Sequence, residues 1–307
     1  LVAEGSAKEI QGSGAHNKRE TRVAVSALLT GALVWGLIWY PYRVLRDAGV
    51  DGIVASTATY GVALILGLLF FRSIPGAFPK KFEPSWSLFW LALAAGGCNL
   101  GYVLATLTGE IMRVLLLFYL APLWTVLLSR LLLGERLNRF GFFVVSLSLA
   151  GALTMLWHPR IGFPVPQDSA DWLGLGAGFF FALFNVLSRR AQGVAIELKS
   201  LAAFFGVVLL GLVLLLAGVG SLQMPTESSA WLLIGVVGCV LVVANLIVQF
   251  GLARVAANRA IVVMLSEVGF AALSSWLLAD EAPGLREWAG GAMIVAASLF
   301  SARMEKT

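Results

Sequence analysis

Apolar residues run along this chain in long unbroken stretches, each closed by a short cluster of charged residues, glycine or proline. A helix rises about 1.5 Å per residue, so about 20 apolar residues cross the roughly 30 Å of a bilayer's hydrocarbon. On that measure the pattern predicts spans at 23–45, 52–71, 86–107, 111–133, 140–157, 171–191, 198–218, 230–252, 258–279 and 286–303. The runs do not alternate apolar with polar, which favours helices over barrel strands. The fold class that follows is an all-α membrane protein with ten transmembrane helices.

A second pattern lies over the first. Sliding the chain by 146 residues brings Trp35 onto Phe181, Arg43 onto Arg189, Asn99 onto Asn245, Arg113 onto Arg259 and Glu135 onto Glu281. Polar and charged residues are scarce in apolar surroundings, and four identical matches at one ungapped shift mark a duplicated unit. Each unit carries five spans, so the second enters the membrane from the opposite side. The expectation is two inverted five-helix repeats around a central cavity, at 23–157 and 171–303. A flexible cytoplasmic tail at 1–22, a connector at 158–170 and a C-terminal tail at 304–307 complete the reading.

Composition supports the membrane: hydrophobic residues make up 59% and charged residues 13%, and mean hydropathy is +0.87. A soluble domain carries about 25% charge. The net charge of +5 has meaning through its placement. With the N-terminus inside, inner segments hold 17 lysines and arginines and outer segments 5, accounting for all 22. That bias puts both termini in the cytoplasm, and no nucleic-acid partner is read from the charge. Cys98 and Cys239 fall in apolar runs as packing residues, while His16 and His158 fall outside the spans. Neither pair builds a metal cluster or a catalytic triad, so no cofactor and no enzyme are expected.

Candidate chemistry lies inside the spans. Asn99, Tyr102 and Thr106 share a helix face, as do Asn245 and Gln249 in the matching span. Away from water such amides bond across helices or to a ligand, and both roles fit. Trp35 and Trp39 share a face of the first span, and Phe181, Asn185 and Ser188 share one in its counterpart. Pro41 is placed to bend the first span, and Tyr119 and Trp124 flank Pro122 in the fourth. Trp35, Trp39 and Trp124 are aromatic cavity candidates, whereas Trp86, Trp157, Trp172, Trp231 and Trp288 lie at span ends as interfacial belt residues. Glu267 is the one acid deep in an apolar run, where it binds an ammonium, carries a proton or caps a helix. Glu110 and Arg113 are spaced to pair at a membrane edge. Gly97-xxx-Gly101 and Gly174-xxx-Gly178 read as close-packing faces.

The stretch from Leu131 to Glu135 with Pro122 upstream, Ser266-Glu267 followed by Trp276 to Glu281, Trp35-Gly36 and the ten-span duplication resemble the drug/metabolite transporter superfamily with its EamA-type repeats. The second copy departs from that pattern, with Val268 in place of a proline and Asp280 in place of a glycine, so bending is open to differ between the halves. The resemblance implies a ten-helix basket that exports or exchanges small metabolites, and the YddG-type aromatic amino-acid exporters look nearest. That placement rests on size, on the aromatic candidates and on an interior without lysine. Substrate contacts are then expected from Trp35, Trp39, Asn99, Tyr102, Tyr119, Asn185, Asn245, Gln249 and Glu267. The other readings are a carrier of a different small solute, a passive channel, and an intramembrane lipid-modifying enzyme. The partners expected are the small-molecule substrate and the bilayer, and oligomeric state is left open.

Overall fold

The computed structural model describes residues 2–74, 86–157, 165–221, 225, 227–279, 284–301 and 303–304, with side chains described from residue 19 onward except at 111–112. Residues 75–85, most of the 158–170 connector, His158, Asp280, Glu281 and the last three residues lie outside them. Within the described residues every regular element is a helix: α1 (Val2–Leu37), α2 (Trp39–Asp47), α3 (Gly52–Phe71), α4 (Trp86–Thr108), α5 (Ile111–Phe118), α6 (Ala121–Leu132), α7 (Arg139–Leu156), α8 (Ser169–Arg190), α9 (Ile196–Leu216), α10 (Ser228–Arg254), α11 (Ala257–Met264), α12 (Ser266–Ala279) and α13 (Leu285–Ser301).

Three of the ten spans are broken. α1 and α2 form the first, α5 and α6 the fourth, α11 and α12 the ninth. Nine spans among the described residues are long and apolar enough to cross a membrane, and the tenth, α13, has 17 residues. α1 begins at Val2 and so takes in the polar segment expected to be a flexible tail. Alanine, glutamate, glutamine, lysine and arginine, which favour helix intrinsically, recur through that segment.

Two of the breaks have local causes. Pro41 has no N–H to return to the Leu37 carbonyl, and α1 ends at Leu37. Pro122 likewise frees the Phe118 carbonyl, and α5 ends there. The ninth span breaks at Leu265, the residue that the 146-residue shift places on Tyr119, without any proline. Both repeats therefore bend at the same place, although Val268 stands where the family pattern has a proline.

The packing repeats with the chain. α4, the third span, packs on α8 and α9, the first two spans of the second repeat; α10, the eighth, packs on α1 and α3, from the first two spans of the first repeat. α5 and α6 pack on α8 as α11 and α12 pack on α1, and the two fifth spans, α7 and α13, pack on each other. Each repeat thus completes the other. Small residues let them approach: a Cβ on Gly178 would collide with the Phe118 oxygen that Pro122 leaves free, and one on Gly206 would collide with the Ala92 oxygen. Gly97 and Gly101 lie against Phe180 and Ala177, which is the close packing expected of the glycine pairs. The outer surface keeps its apolar side chains, among them Leu216, Leu232 and Leu277, and all five belt tryptophans are exposed.

Candidate functional site

The two mid-membrane breaks face each other. Tyr119 follows the end of α5, Glu267 stands in the first turn of α12, and the Tyr119 hydroxyl donates to Glu267 Oε1 at 3.1 Å. A single hydrogen bond therefore joins the discontinuity of one repeat to that of the other. α1 crosses α12 here, since a Cβ on Gly36 would lie 2.9 Å from the Glu267 carbonyl oxygen. Among the described residues no lysine or arginine lies within ion-pair distance of Glu267. A carboxylate near mid-membrane is costly unless paired or hydrated.

Aromatic rings surround this bond. Phe118 lies 5.3 Å from Tyr102, 5.2 Å from Tyr119 and 5.5 Å from Phe181, centre to centre. Leu265, Val268 and Cys98 pack in the same cluster, and Trp35 packs beside Phe181 and Phe184. Trp35, Asn99, Tyr102 and Glu267 are half-buried while Tyr119 is buried. These half-buried polar groups mark the junction of the two repeats.

The amides lie to one side of it. Asn99 Nδ2 donates to the Tyr60 hydroxyl at 3.4 Å, and its Oδ1 is buried without a partner. Asn245 Oδ1, Asn185 Nδ2 and both amide atoms of Gln249 are buried in the same condition. Gln249 is 0% exposed, and buried amide atoms of this kind require polar partners.

Other candidates are placed differently. Trp39 Nε1 donates to Ser274 Oγ at 2.9 Å, and Ser274 donates to the Gly36 carbonyl, so Trp39 ties α2 to α12. Trp124 is not in the centre: it stacks on Phe179 and lines a groove with Leu120, Leu123, Leu127 and Leu175, two of which are exposed. Thr106 engages its hydroxyl within its own helix, at the Tyr102 and Val103 carbonyls. Arg113 pairs with Asp171, not with Glu110, and also donates to the Val165 carbonyl. The interior is not free of lysine either. Lys199, in the first turn of α9, is 0% exposed and its Nζ donates to the Ser188 carbonyl at 2.9 Å. Phe118, Cys98 and Tyr60 join the site unannounced, and the aromatic pair Phe118-Tyr119 beside Pro122 is the available signal for the first.

Both ends of the fourth span are tied to the second repeat. At one end the Arg113–Asp171 pair joins α5 to α8. At the other, Glu135 accepts from the Ala257 N–H at 3.1 Å and from Asn258 Nδ2 at 3.3 Å, capping α11.

A solved protein crystal structure superimposes with a TM-score of 0.75 over 92% of this chain and 99% of that one; at 19% identity the likeness is one of fold. Protein RarD of Salmonella typhi is 23% identical over 185 residues, a stretch of 59% of each chain, so this chain matches about three-fifths of that relative's length. A riboflavin transporter of Rhizobium johnstonii is 25% identical over 250 residues, 80% of this chain and 79% of that protein. The family model for the EamA-like transporter family matches residues 22–157 and again 168–303, the second match starting 146 residues after the first. Two copies of that unit span most of the sequence, and the chain belongs to the EamA-like transporter family of the drug/metabolite transporter superfamily.

Proposed function

We propose that this transporter is a secondary carrier that exports amino acids with aromatic or apolar side chains by alternating access. The observation that carries the reading is the Tyr119–Glu267 bond between the two helix breaks, set among the rings of Tyr102, Phe118 and Phe181. A carboxylate suits a substrate ammonium, and the ring cluster suits an apolar or aromatic side chain. Asn99, Asn185, Asn245 and Gln249 supply polar partners, while Trp35, Tyr102 and Tyr119 form the aromatic side. Inverted repeats meeting at mid-membrane provide two related arrangements, one open to each face. The lysine and arginine bias supports both termini in the cytoplasm, and the bacterial relatives support a bacterial inner membrane.

The test is binding of labelled phenylalanine to the purified protein and to alanine variants at Tyr102, Asn99 and Glu267. Saturable binding that weakens in each folded variant is expected. Unchanged binding in all three would remove the site from this position. A second reading has its own support. Five buried amide atoms without partners, beside stacked rings, also suit a flat heteroaromatic solute with amide edges, and one similar protein is named a riboflavin transporter. Competition between phenylalanine and riboflavin for the same site separates the two.

A further inference from the structure

The buried polar atoms are not scattered. On α8, Phe181 belongs to the central ring cluster, Asn185 follows one turn later, and Ser188 and Arg189 follow one turn after that. On α10, Asn245, Gln249 and Ala253 descend in the same steps of four. Arg189 donates to the Ala253 carbonyl, which sets these two faces against each other, and Lys199 of α9 closes the end of the row on the Ser188 carbonyl. Residues three or four apart share a helix face, so Asn185 and Gln249 lie one turn deeper than the Arg189–Ala253 bond.

Capping of helix C-termini accounts for the two bonds made by Lys199 and Arg189. It leaves Asn185 Nδ2, Ser188 Oγ, Asn245 Oδ1 and both amide atoms of Gln249 buried without partners along the row. Arg254 lies at the same end, over the Phe250 ring, and no carboxylate among the described residues lies within ion-pair distance of Lys199, Arg189 or Arg254. The duplicated positions in the first repeat make a control. There Trp39 stands for Asn185, Tyr42 for Ser188, Val103 for Gln249 and Ile53 for Lys199. Trp39 and Tyr42 are bonded to Ser274 and Thr59. Asn99 and Arg43 stand for Asn245 and Arg189, so the repeats share those two, while Asn185, Gln249 and Lys199 have no amide or cation at the matching positions.

We propose that this row, Asn245, Gln249, Asn185 and Ser188 ending at Lys199 and Arg189, is the access route from the face that the charge bias makes cytoplasmic, and that it admits solutes bearing a carboxylate. In this structure the two cations hold main-chain carbonyls. A carboxylate is the stronger acceptor for both, so an arriving solute exchanges for those carbonyls and then meets the amides. The proposal rests on the transport reading for its cargo but not for its geometry.

Thiol labelling tests it without a transport assay. In protein with Cys98→Ala and Cys239→Ala, single Asn185→Cys and Gln249→Cys variants are exposed in oriented vesicles to anionic and cationic methanethiosulfonates. Labelling from the Lys199 side is expected at both positions, faster for the anionic reagent by about ten-fold, the scale of electrostatic focusing in a charged cleft. Adding Lys199→Gln should erase most of that preference. Absence of labelling from either face at both positions, in monodisperse protein, would overturn the route, as would equal rates for the two reagents. Charge-selective labelling that phenylalanine fails to slow would support the route and count against amino acids as its cargo.

Discussion

Glu267 has one hydrogen-bond donor, Tyr119, and that pairing is a contact between repeats. Tyr119→Phe removes it while keeping the ring against Phe118. A hydrogen bond to a charged group contributes about 1.5–3 kcal/mol to the folded state, so the melting temperature should fall by a few degrees and transport should fall with it. Radiolabelled exchange beside a thermal-stability assay checks this. Arg113 and Asp171, 7% and 1% exposed, carry a larger penalty. Removing either leaves a buried charge alone, at about 3–5 kcal/mol, whereas Arg113→Met with Asp171→Leu restores much of the loss. A double-mutant cycle of melting measurements reads the difference. The sequence shows the first pair's members but not their contact, and it offers Arg113 the wrong partner, because Glu110 is three residues away and Asp171 fifty-eight. Lys199 escapes a sequence reading for a related reason: it stands in the first turn of an apolar span, where a lysine reads as part of the loop, and only the fold buries it and sets its Nζ on the Ser188 carbonyl.

Among the elements, the fourth span is held by what α8 lacks. Gly178 gives the freed Phe118 carbonyl room, and Gly178→Val should force the α5–α8 contact apart, with overpacking costing about 1–3 kcal/mol. A lowered melting temperature with reduced yield is the expected result. Glu135 caps α11, and Glu135→Ala should cost about 1 kcal/mol by loss of that cap. Hydrogen exchange at the amides of Ala257 and Asn258 should rise in that variant and stay level around α8. Span positions are legible because an apolar run of membrane length has few alternatives. The breaks are legible only where proline announces them: Pro41 and Pro122 do so, and Leu265 does not. That third break comes from the packing of α11 and α12 in the partner arrangement of α5 and α6, which no local residue records.

For the whole molecule, the 146-residue shift is the most informative feature of the chain, since it relates the packing of α4 on α8 and α9 to that of α10 on α1 and α3. The symmetry describes the frame and not the chemistry. Glu267 has Ala121 at its duplicated position, Lys199 has Ile53, and the orphaned amides other than Asn99 gather on α8 and α10. One repeat thus supplies most of the polar groups and the other most of the rings, a division that only the folded arrangement brings to one junction. Carrier action at that junction is read most directly by counterflow in liposomes holding the purified protein, preloaded with unlabelled phenylalanine and challenged with labelled phenylalanine outside. Saturable, transient accumulation above equilibrium is expected, reduced by Glu267→Gln and by Tyr119→Phe. Uptake that never exceeds equilibrium in folded protein, or accumulation that both substitutions leave intact, would contradict a carrier built around the Tyr119–Glu267 junction.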